Sequence, residues 1–282
     1  MLTLHAQTNP QQLRNPQLIT FCAADMVDIN DIPFYKTLNQ LRVGFSTYPI
    51  VGRILRLWET QNIWKNGEII GLTFLLLDEK VDVINCFINV RRTSLYKNII
   101  QDGLIYSINR FYVTHSNNKY KLTHTPFSIS FTNKTMISQI VGNVPKIPMH
   151  KYTMRNYNDL KSLANTNKEL PDIVGQIRFV EGIELNDPNS TRPIVLRLRM
   201  QRKSVVRVAL WDNVAASFRK DFGIEKLQRF TILITSINPK IRQGNLQLDS
   251  TAATRILKKE TAVTTKQIRR QIKSKLNSLA NY

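Results

Sequence analysis

The chain has 282 residues, of which 42% are hydrophobic, and this is enough to bury the cores of about two domains. Its 40 lysines and arginines against 20 aspartates and glutamates give a net charge of +20, so a polyanionic partner is the first expectation. The 2 cysteines and 4 histidines show no spacing for a zinc site or a disulfide framework, and no apolar run is long enough to span a membrane. We therefore expect a soluble, reduced intracellular protein with no metal or cofactor and no membrane contact.

The first 40 residues are rich in glutamine, asparagine, threonine and proline and carry no sustained hydrophobic period. This composition predicts a flexible leader over 1–40. A first domain follows over 41–135, in which three strands, a helix and two strands are predicted. The predicted strands are 50–58, with a bulge or bend suggested by Gly52, and 71–77, 81–89, 104–114 and 119–131, and the predicted helix is 91–100.

The strand pattern lapses over 136–170, where the apolar residues of 157–164 share one face of a short helix, so this segment is a predicted connector. The earlier order of elements then starts again in a second domain over 171–255. Its predicted elements are a strand at 173–180, a hairpin at 191–211, a helix at 214–222 and strands at 230–237 and 245–248. Five short strands with a helix between the third and the fourth, found twice, predict an all-β protein of two tandem OB-fold barrels with short helices.

The hairpin at 191–211 carries the strongest candidate binding surface. Because successive side chains of a strand point to opposite faces, Arg197, Arg199 and Arg207 share one face. Trp211 has the same parity at the end of the second strand, and Arg178 has it on the strand at 173–180, together with Gln176. Arginines beside an aromatic residue are typical of a surface that holds phosphates and stacks bases. A solvated basic face and a tryptophan that closes the barrel mouth are the alternatives.

The last segment, 256–282, is strongly basic, and its isoleucines and leucines repeat at near-helical spacing. It predicts a basic amphipathic C-terminal helix. Docking on the second domain, binding of a protein partner and additional phosphate contacts are three candidate uses, and a frayed, solvated helix is the alternative.

Six segments in order along the chain resemble the large, DNA-binding subunit of replication protein A, and most closely the plant-type sequences of that family. They are Leu55-Arg56-Leu57-Trp58, 75–79, 129–135, 170–175, 208–211 and 248–255. The resemblance covers roughly residues 40–260, which correspond to the tandem central OB domains. It implies single-stranded DNA binding in replication, recombination and repair in the nucleus, with smaller subunits of the replication protein A type as partners.

The resemblance also assigns residues to the expected site. Trp211 matches the family's base-stacking tryptophan in the second OB domain, and Arg56 with Trp58 matches its Arg-x-Trp in the first. For Trp58, packing and stacking are equally good interpretations.

The first domain departs from the family pattern. Asn89 stands where the second domain has Trp211, and Leu72 and Ser107 stand where the family has two stacking phenylalanines. Phe87 faces outward by alternation and is the candidate substitute. Alternatively, the first domain binds weakly through the charges of four arginines, which are Arg53, Arg56, Arg91 and Arg92.

The sequence carries no nucleotide-binding or nucleophile motif of the common enzyme classes, so we expect a binding protein rather than an enzyme. The predicted function is sequence-tolerant binding of single-stranded DNA. An RNA-binding tandem OB protein is one alternative, because no residue pattern here selects for or against a 2′-hydroxyl. A protein-interaction scaffold with weak nucleic-acid binding is the other.

Overall fold

The computed structural model describes residues 26–32, 34–62, 65, 67–116, 122–123, 125–200, 204–222 and 230–258. These residues form two β-sheets with three α-helices. No described helix is long and apolar enough to cross a membrane. Of the predicted C-terminal helix, 256–282, the first three residues form a strand instead, and the rest lies outside the described residues.

The first barrel consists of nine strands and helix α1. Its elements are β1 Met26–Asp28, β2 Gly44–Ser46, β3 Ile50–Asn62, β4 Glu68–Leu77, β5 Val83–Asn89, α1 Val90–Tyr96, β6 Ile105–Asn109, β7 Phe111–His115, β8 Phe127–Ser130 and β9 Met136–Val141. The inward side chains of these strands form one core, which includes Phe74, Tyr106 and Cys86. Burial raises the pKa of the Cys86 thiol, so this cysteine is held in its protonated form.

The second barrel follows a connector that contains the predicted short helix, α2 Tyr157–Leu163. Its elements are β10 Ile173–Gly182, β11 Ile194–Arg199, β12 Val205–Leu210, α3 Asp212–Asp221, β13 Thr231–Ile234, β14 Asn238–Arg242, β15 Asn245–Asp249 and β16 Ile256–Lys258. A second apolar core fills it and also takes in Leu160 of α2.

The two barrels have the same topology. The first sheet contains the order β7-β8-β5-β4-β3-β6-β9, and the second has the order β14-β15-β12-β11-β10-β13-β16. In each sheet the chain bends sharply between two successive strands, at Arg110 (φ 56°) between β6 and β7 and at Ser236 (φ 52°) between β13 and β14. In these orders β7 and β14 are first and β6 and β13 are next to last, so each sheet closes on itself. The predicted pair of OB-fold barrels is confirmed.

Both bends are held by the same arrangement of threonines. Thr135 Oγ1 donates to the carbonyl of Arg110 (2.9 Å) and accepts the amide of Thr132 (2.8 Å). In the second barrel, Thr254 Oγ1 donates to the carbonyl of Ser236 (3.0 Å) and accepts the amide of Thr251 (2.8 Å). Two of the segments that carry the family resemblance, 129–135 and 248–255, therefore close the barrels.

The first sheet extends beyond the predicted domain on both sides. Strand β1, within the predicted leader, pairs with β9, and β9 occupies the start of the predicted connector. The prediction passed over β9 because its six residues alternate too briefly to stand out. Gly52 is another difference, since the bulges of β3 lie between Ile54 and Arg56 and between Thr60 and Gln61. Gly52 is needed instead for close packing, because a Cβ there would lie 2.6 Å from Leu76 Cγ.

A buried arginine joins the two barrels. Arg56 of β3 is 8% exposed, and its Nη1 donates to Thr235 Oγ1 (2.8 Å) and Ser236 Oγ (2.6 Å) of the second barrel. Burial lowers the pKa of Arg56, and the charge of Asp172 opposes that shift. The carboxylate of Asp172 in turn accepts the amides of Ser236 (2.8 Å) and of Thr153 in the connector (2.6 Å). One cation and one carboxylate thus connect β3, the connector and the bend of the second barrel.

A second arginine, which belongs to the second barrel, contacts the first barrel. Arg255 Nη2 donates to the carbonyl of Leu57 in β3. Burial raises the pKa of Asp102 in the first barrel, and the charge of Arg255 opposes this rise. The relative position of the barrels is therefore fixed by polar contacts on both sides, in addition to the connector.

We expect Arg56→Met to lower the free energy of unfolding by about 3–5 kcal/mol, because it leaves the buried carboxylate of Asp172 without a compensating charge. Denaturant unfolding followed by circular dichroism measures the change. The exposed Arg91→Met in α1 is the matched control and should leave the midpoint unchanged. Arg56→Met combined with Asp172→Asn should recover part of the loss. Equal stability of Arg56→Met and the wild type would contradict this account of the contact.

Candidate nucleic-acid interface

A row of outward side chains crosses five strands of the second barrel. Phe179 of β10 pairs with Arg197 of β11, and Arg197 pairs with Arg207 of β12. Arg207 pairs with Gln247 of β15, and Gln247 pairs with Lys240 of β14. Residues that face each other across neighbouring strands project to the same side of a sheet, so the row forms one continuous strip. Its ends are an aromatic ring and an ammonium group, with two guanidiniums between them.

Trp211 lies where β12 passes into α3. It is the N-cap residue of that helix, and its backbone amide donates to Ser250 Oγ (2.9 Å). The side chain is 38% exposed, and no aromatic ring of the described residues packs against it. Trp211 is therefore anchored through its backbone and is partly exposed at the end of the strand that carries Arg207.

The structure places the three predicted arginines of the hairpin on one face. Arg197 Nε donates to Glu181 Oε1 (2.6 Å), and Arg199 Nη2 donates to Gln176 Oε1 (2.6 Å). Arg197 and Glu181 are both substantially exposed, so their ion pair contributes little to stability. These contacts tie Arg197 and Arg199 to the neighbouring strand β10, and only the contact of Arg197 offsets a charge.

Asp249 binds two further cationic side chains on this surface, Arg242 and Lys240, which were not predicted from the sequence. Its carboxylate accepts Arg242 Nη2 (2.8 Å) and Gln247 Nε2 (3.0 Å), and Lys240 Nζ lies 3.5 Å away. Burial raises the pKa of Asp249, but the hydrogen bonds from Gln247 and Arg242 and the charges of Arg242 and Lys240 outweigh it and bring the pKa below 3.8. Lys240, Arg242 and Asp249 lie on a hairpin that the sequence does indicate, because the turn Gln243-Gly244 stands between two short runs of alternating residues.

A β-bulge in β10 changes the predicted position of Arg178. The register shifts between Ile177 and Phe179, so Arg178 is the extra, unpaired residue. Arg178 is exposed, but Phe179 takes the paired outward position beside Arg197. The sequence indicates this bulge through the adjacent apolar residues Phe179 and Val180, which interrupt the alternation of apolar and polar residues.

In the first barrel, the corresponding face carries a row of its own. Trp58 pairs with Thr73, Thr73 with Phe87, and Phe87 with Ser130. Beyond Ser130 the row continues to Tyr112 of β7 and Phe45 of β2. The rings of Trp58 and Phe87 are both half-buried. A Cβ at Gly71 would lie 2.8 Å from Phe87 Cε2, so the Phe87 ring lies across the glycine.

Asn89 occupies the position equivalent to Trp211, as predicted, since it is the N-cap residue of α1 as Trp211 is of α3. Its side-chain oxygen accepts the amide of Arg91 (3.1 Å), so Asn89 serves as a helix cap. Leu72 points into the core of the barrel, and Ser107 is buried. Neither residue can meet a ligand from its position.

Two arginines assigned to phosphate contact lie elsewhere. Arg56 is buried in the contact between the barrels. Arg53 Nη2 donates to the carbonyl of Ile147 in the connector (3.1 Å) and its Nη1 to the carbonyl of Gly103, and burial lowers its pKa. Both are therefore corrected from binding residues to structural ones. The reason is tertiary packing, which the alternation of a single strand does not report. Arg91 and Arg92 lie on α1, with Arg91 exposed and Arg92 half-buried.

The rest of the outward face of the first barrel is covered by the chain itself. Around Arg56, a cleft is lined by first-barrel residues such as Leu75, by Lys151 and Thr153 of the connector and by Ser236 of the second barrel. At the other end, a small apolar cluster contains Ile147 and Leu77, against which Val27, Ile29, Ile32 and Tyr35 pack. Trp58 and Phe87 remain partly accessible, and Tyr112 and Phe45, further along the same row, are 46% and 47% exposed.

Comparison with known families matches residues 38–157 to a family described as Domain of unknown function DUF223. The match covers most of the first barrel and the start of the connector, which is less than half of the 282-residue chain. A comparison with curated proteins found no match. In the described residues, no group of three or more histidine, cysteine, aspartate or glutamate side chains could hold a metal ion.

One similar solved structure is a replication protein A heterotrimer bound to single-stranded DNA, with 19% sequence identity and a TM-score of 0.56. The match covers 79% of this chain and 51% of that one, so this chain spans about half the length of its neighbour. At this identity the likeness shows a shared fold, the tandem OB barrels.

Two further neighbours, the Ifi202 HINa domain with 20-base-pair DNA and a murine protein bound to double-stranded DNA, have TM-scores of 0.42 and 0.38. They are 12% and 11% identical, cover 76% and 74% of this chain and 97% of their own, and are too dissimilar to support an argument.

We expect Asp249→Asn to lower the free energy of unfolding at neutral pH by about 1.5–3 kcal/mol, because charge-assisted hydrogen bonds are lost. The folded-state pKa of Asp249 lies below 3.8, so its stabilising effect is complete above that pH and disappears as the pH falls through the folded-state value. The difference between wild type and Asp249→Asn should therefore shrink in denaturant unfolding below pH 3.8.

The control is Asp187→Asn, an exposed loop residue whose bond to the amide of Asn189 an amide oxygen can also accept. It should match the wild type at both pH values. A difference for Asp249→Asn that does not depend on pH would show that its partners do not stabilise the ionised carboxylate.

Proposed function

We propose that this protein binds single-stranded DNA with little sequence preference, mainly through the outward face of its second barrel. The observation that carries the proposal is the row that runs from Phe179 through Arg197 and Arg207 to Lys240, with Trp211 beside it. Guanidinium and ammonium groups bind phosphates, and exposed aromatic rings stack bases of any identity.

Unpaired bases are the ligand that this arrangement suits best. An indole can stack only on a base whose face is free, and duplex DNA keeps its base faces covered. The fold shared with a replication protein A heterotrimer that was solved with single-stranded DNA supports the same choice. We extend the proposal to replication, recombination and repair in the nucleus and to association with smaller subunits of the replication protein A type.

The two barrels contribute unequally in this proposal. The connector and the second barrel adjoin the face of the first barrel around Arg56, and the rings of Trp58 and Phe87 on that face are half-buried. The exposed rings of the first barrel, Tyr112 and Phe45, have no arginine paired with them in the row. The second barrel, whose row combines arginines with an exposed ring, therefore supplies most of the affinity, and the first barrel adds to it.

We expect Trp211→Ala to weaken binding of a single-stranded oligonucleotide by about 5- to 150-fold, the equivalent of one lost stacking contact of about 1–3 kcal/mol. Fluorescence anisotropy titration measures this change, and Trp211→Phe should retain most of the affinity. The effect should exceed that of Arg197→Ala or Arg207→Ala. Affinity should also fall steeply with salt, because phosphate contacts release bound counterions.

The same titration against duplex DNA and single-stranded RNA tests the choice of ligand. Trp58→Ala is the matched control in the first barrel and should cause a smaller loss than Trp211→Ala. Equal affinity for duplex and single-stranded DNA would contradict stacking and leave only attraction between charges. Tighter binding of RNA than of DNA would assign the protein to RNA, and no binding of either strand would leave the scaffold alternative.

A further inference from the structure

Phe179 is the most exposed aromatic residue of the part of the chain that the structure describes, at 59%. It lies in the middle of β10, a central strand of the second sheet, and not in a loop. No aromatic ring among the described residues packs against it. Single exposed apolar residues are common on protein surfaces, so exposure alone assigns nothing. Its position in the sheet is the informative feature.

The outward position of Phe179 depends on the bulge in β10. Ile177 pairs with the inward Leu198, and Phe179 then pairs with the outward Arg197. Without the bulge, with Arg178 paired in regular alternation, Phe179 would lie on the same side as Ile177, in the core. The bulge thus turns a large apolar ring, which the core would otherwise bury, toward a strip of cationic side chains.

Phe179 and Trp211 are far enough apart to contact different bases. They lie two strands apart, on β10 and at the end of β12, and Trp211 is four residues beyond Arg207 along the chain. With about 4.8 Å between strands and about 3.3 Å per residue along a strand, the separation is about 16 Å. Arg197 and Arg207 stand in the sheet positions between the two rings.

We propose that Phe179 is a second base-stacking residue of the second barrel, so that a bound single strand is held by a ring at each end and by arginines on its phosphates between them. This proposal rests on the proposed function of the same face. A phenyl ring stacks on any base, so the position adds affinity and does not read sequence.

The first test compares Phe179→Ala, Phe179→Leu and Phe179→Tyr in anisotropy titrations with a single-stranded oligonucleotide. Loss of one stacked base should weaken binding about 5- to 150-fold in Phe179→Ala. Phe179→Leu keeps apolar bulk without a π-face and should also weaken binding, whereas Phe179→Tyr should keep the affinity. The control is Ile183→Ala, since Ile183 is 68% exposed next to the same strand but outside the row, and it should match the wild type.

The second test uses oligonucleotides that carry one abasic site at successive positions. The wild type should show two sensitive positions, Phe179→Ala should lose one of them, and Trp211→Ala should lose the other. This pattern identifies a base on the Phe179 ring, which a general loss of affinity does not.

Each outcome decides one of the two proposals. If Phe179→Ala binds like the wild type while Trp211→Ala is weakened, the second stacking position is wrong and the proposed function stands. If Phe179→Ala is weakened but keeps both sensitive positions, the ring does not stack and the inference is equally wrong. If the wild type shows no preference for single-stranded nucleic acid, the proposed function itself fails.

Discussion

The buried contact of Arg56 with Thr235 and Ser236, close to the carboxylate of Asp172, determines how the two barrels are arranged. A guanidinium without water must be matched by acceptors and a nearby negative charge, and here they come from the strand bend of the second barrel and from the residue just before β10. The contact uses an outward residue of β3, and therefore closes part of the face through which the first barrel would bind a ligand. The arrangement of the barrels and the unequal use of their faces have one physical origin.

The duplicated topology makes this inequality visible. Equivalent strands, equivalent bends at Arg110 and Ser236 and equivalent threonine pairs close both barrels, so the frame is the same in each. The outward faces differ. The second sheet sets arginines directly opposite each other, at Arg197 and Arg207, and like charges in such a pair repel each other. The exposed ion pair of Arg197 with Glu181 offsets this repulsion only in part. The core and the threonine contacts of the second barrel do not involve Arg197 or Arg207. The outward face can therefore carry charges that favour binding of an anionic ligand.

Much of this could be predicted from the sequence, because it depends on local periodicity. The main strands and the short helices follow from their hydrophobic periods, and the shared face of Arg197 and Arg207 follows from strand alternation. The burial of Arg56 could not be predicted, since it depends on a domain that starts more than a hundred residues later in the chain. The outward turn of Phe179 was missed because a bulge of one residue exchanges the two faces of a strand. The Phe179-Val180 pair marks the place where the alternation fails.

Ultraviolet crosslinking of the full chain to a single-stranded oligonucleotide, with the crosslinked peptides identified by mass spectrometry, tests the division of roles most directly. Stacked aromatic residues lie in contact with bases, so the account predicts that the main crosslinks fall in the second barrel, on the peptides that contain Trp211 and Phe179. Weaker crosslinks at Trp58 or Phe87 agree with a minor contribution from the first barrel. Crosslinks confined to the first barrel would contradict the account, because they would place the strand on the face that Arg56 and the connector close.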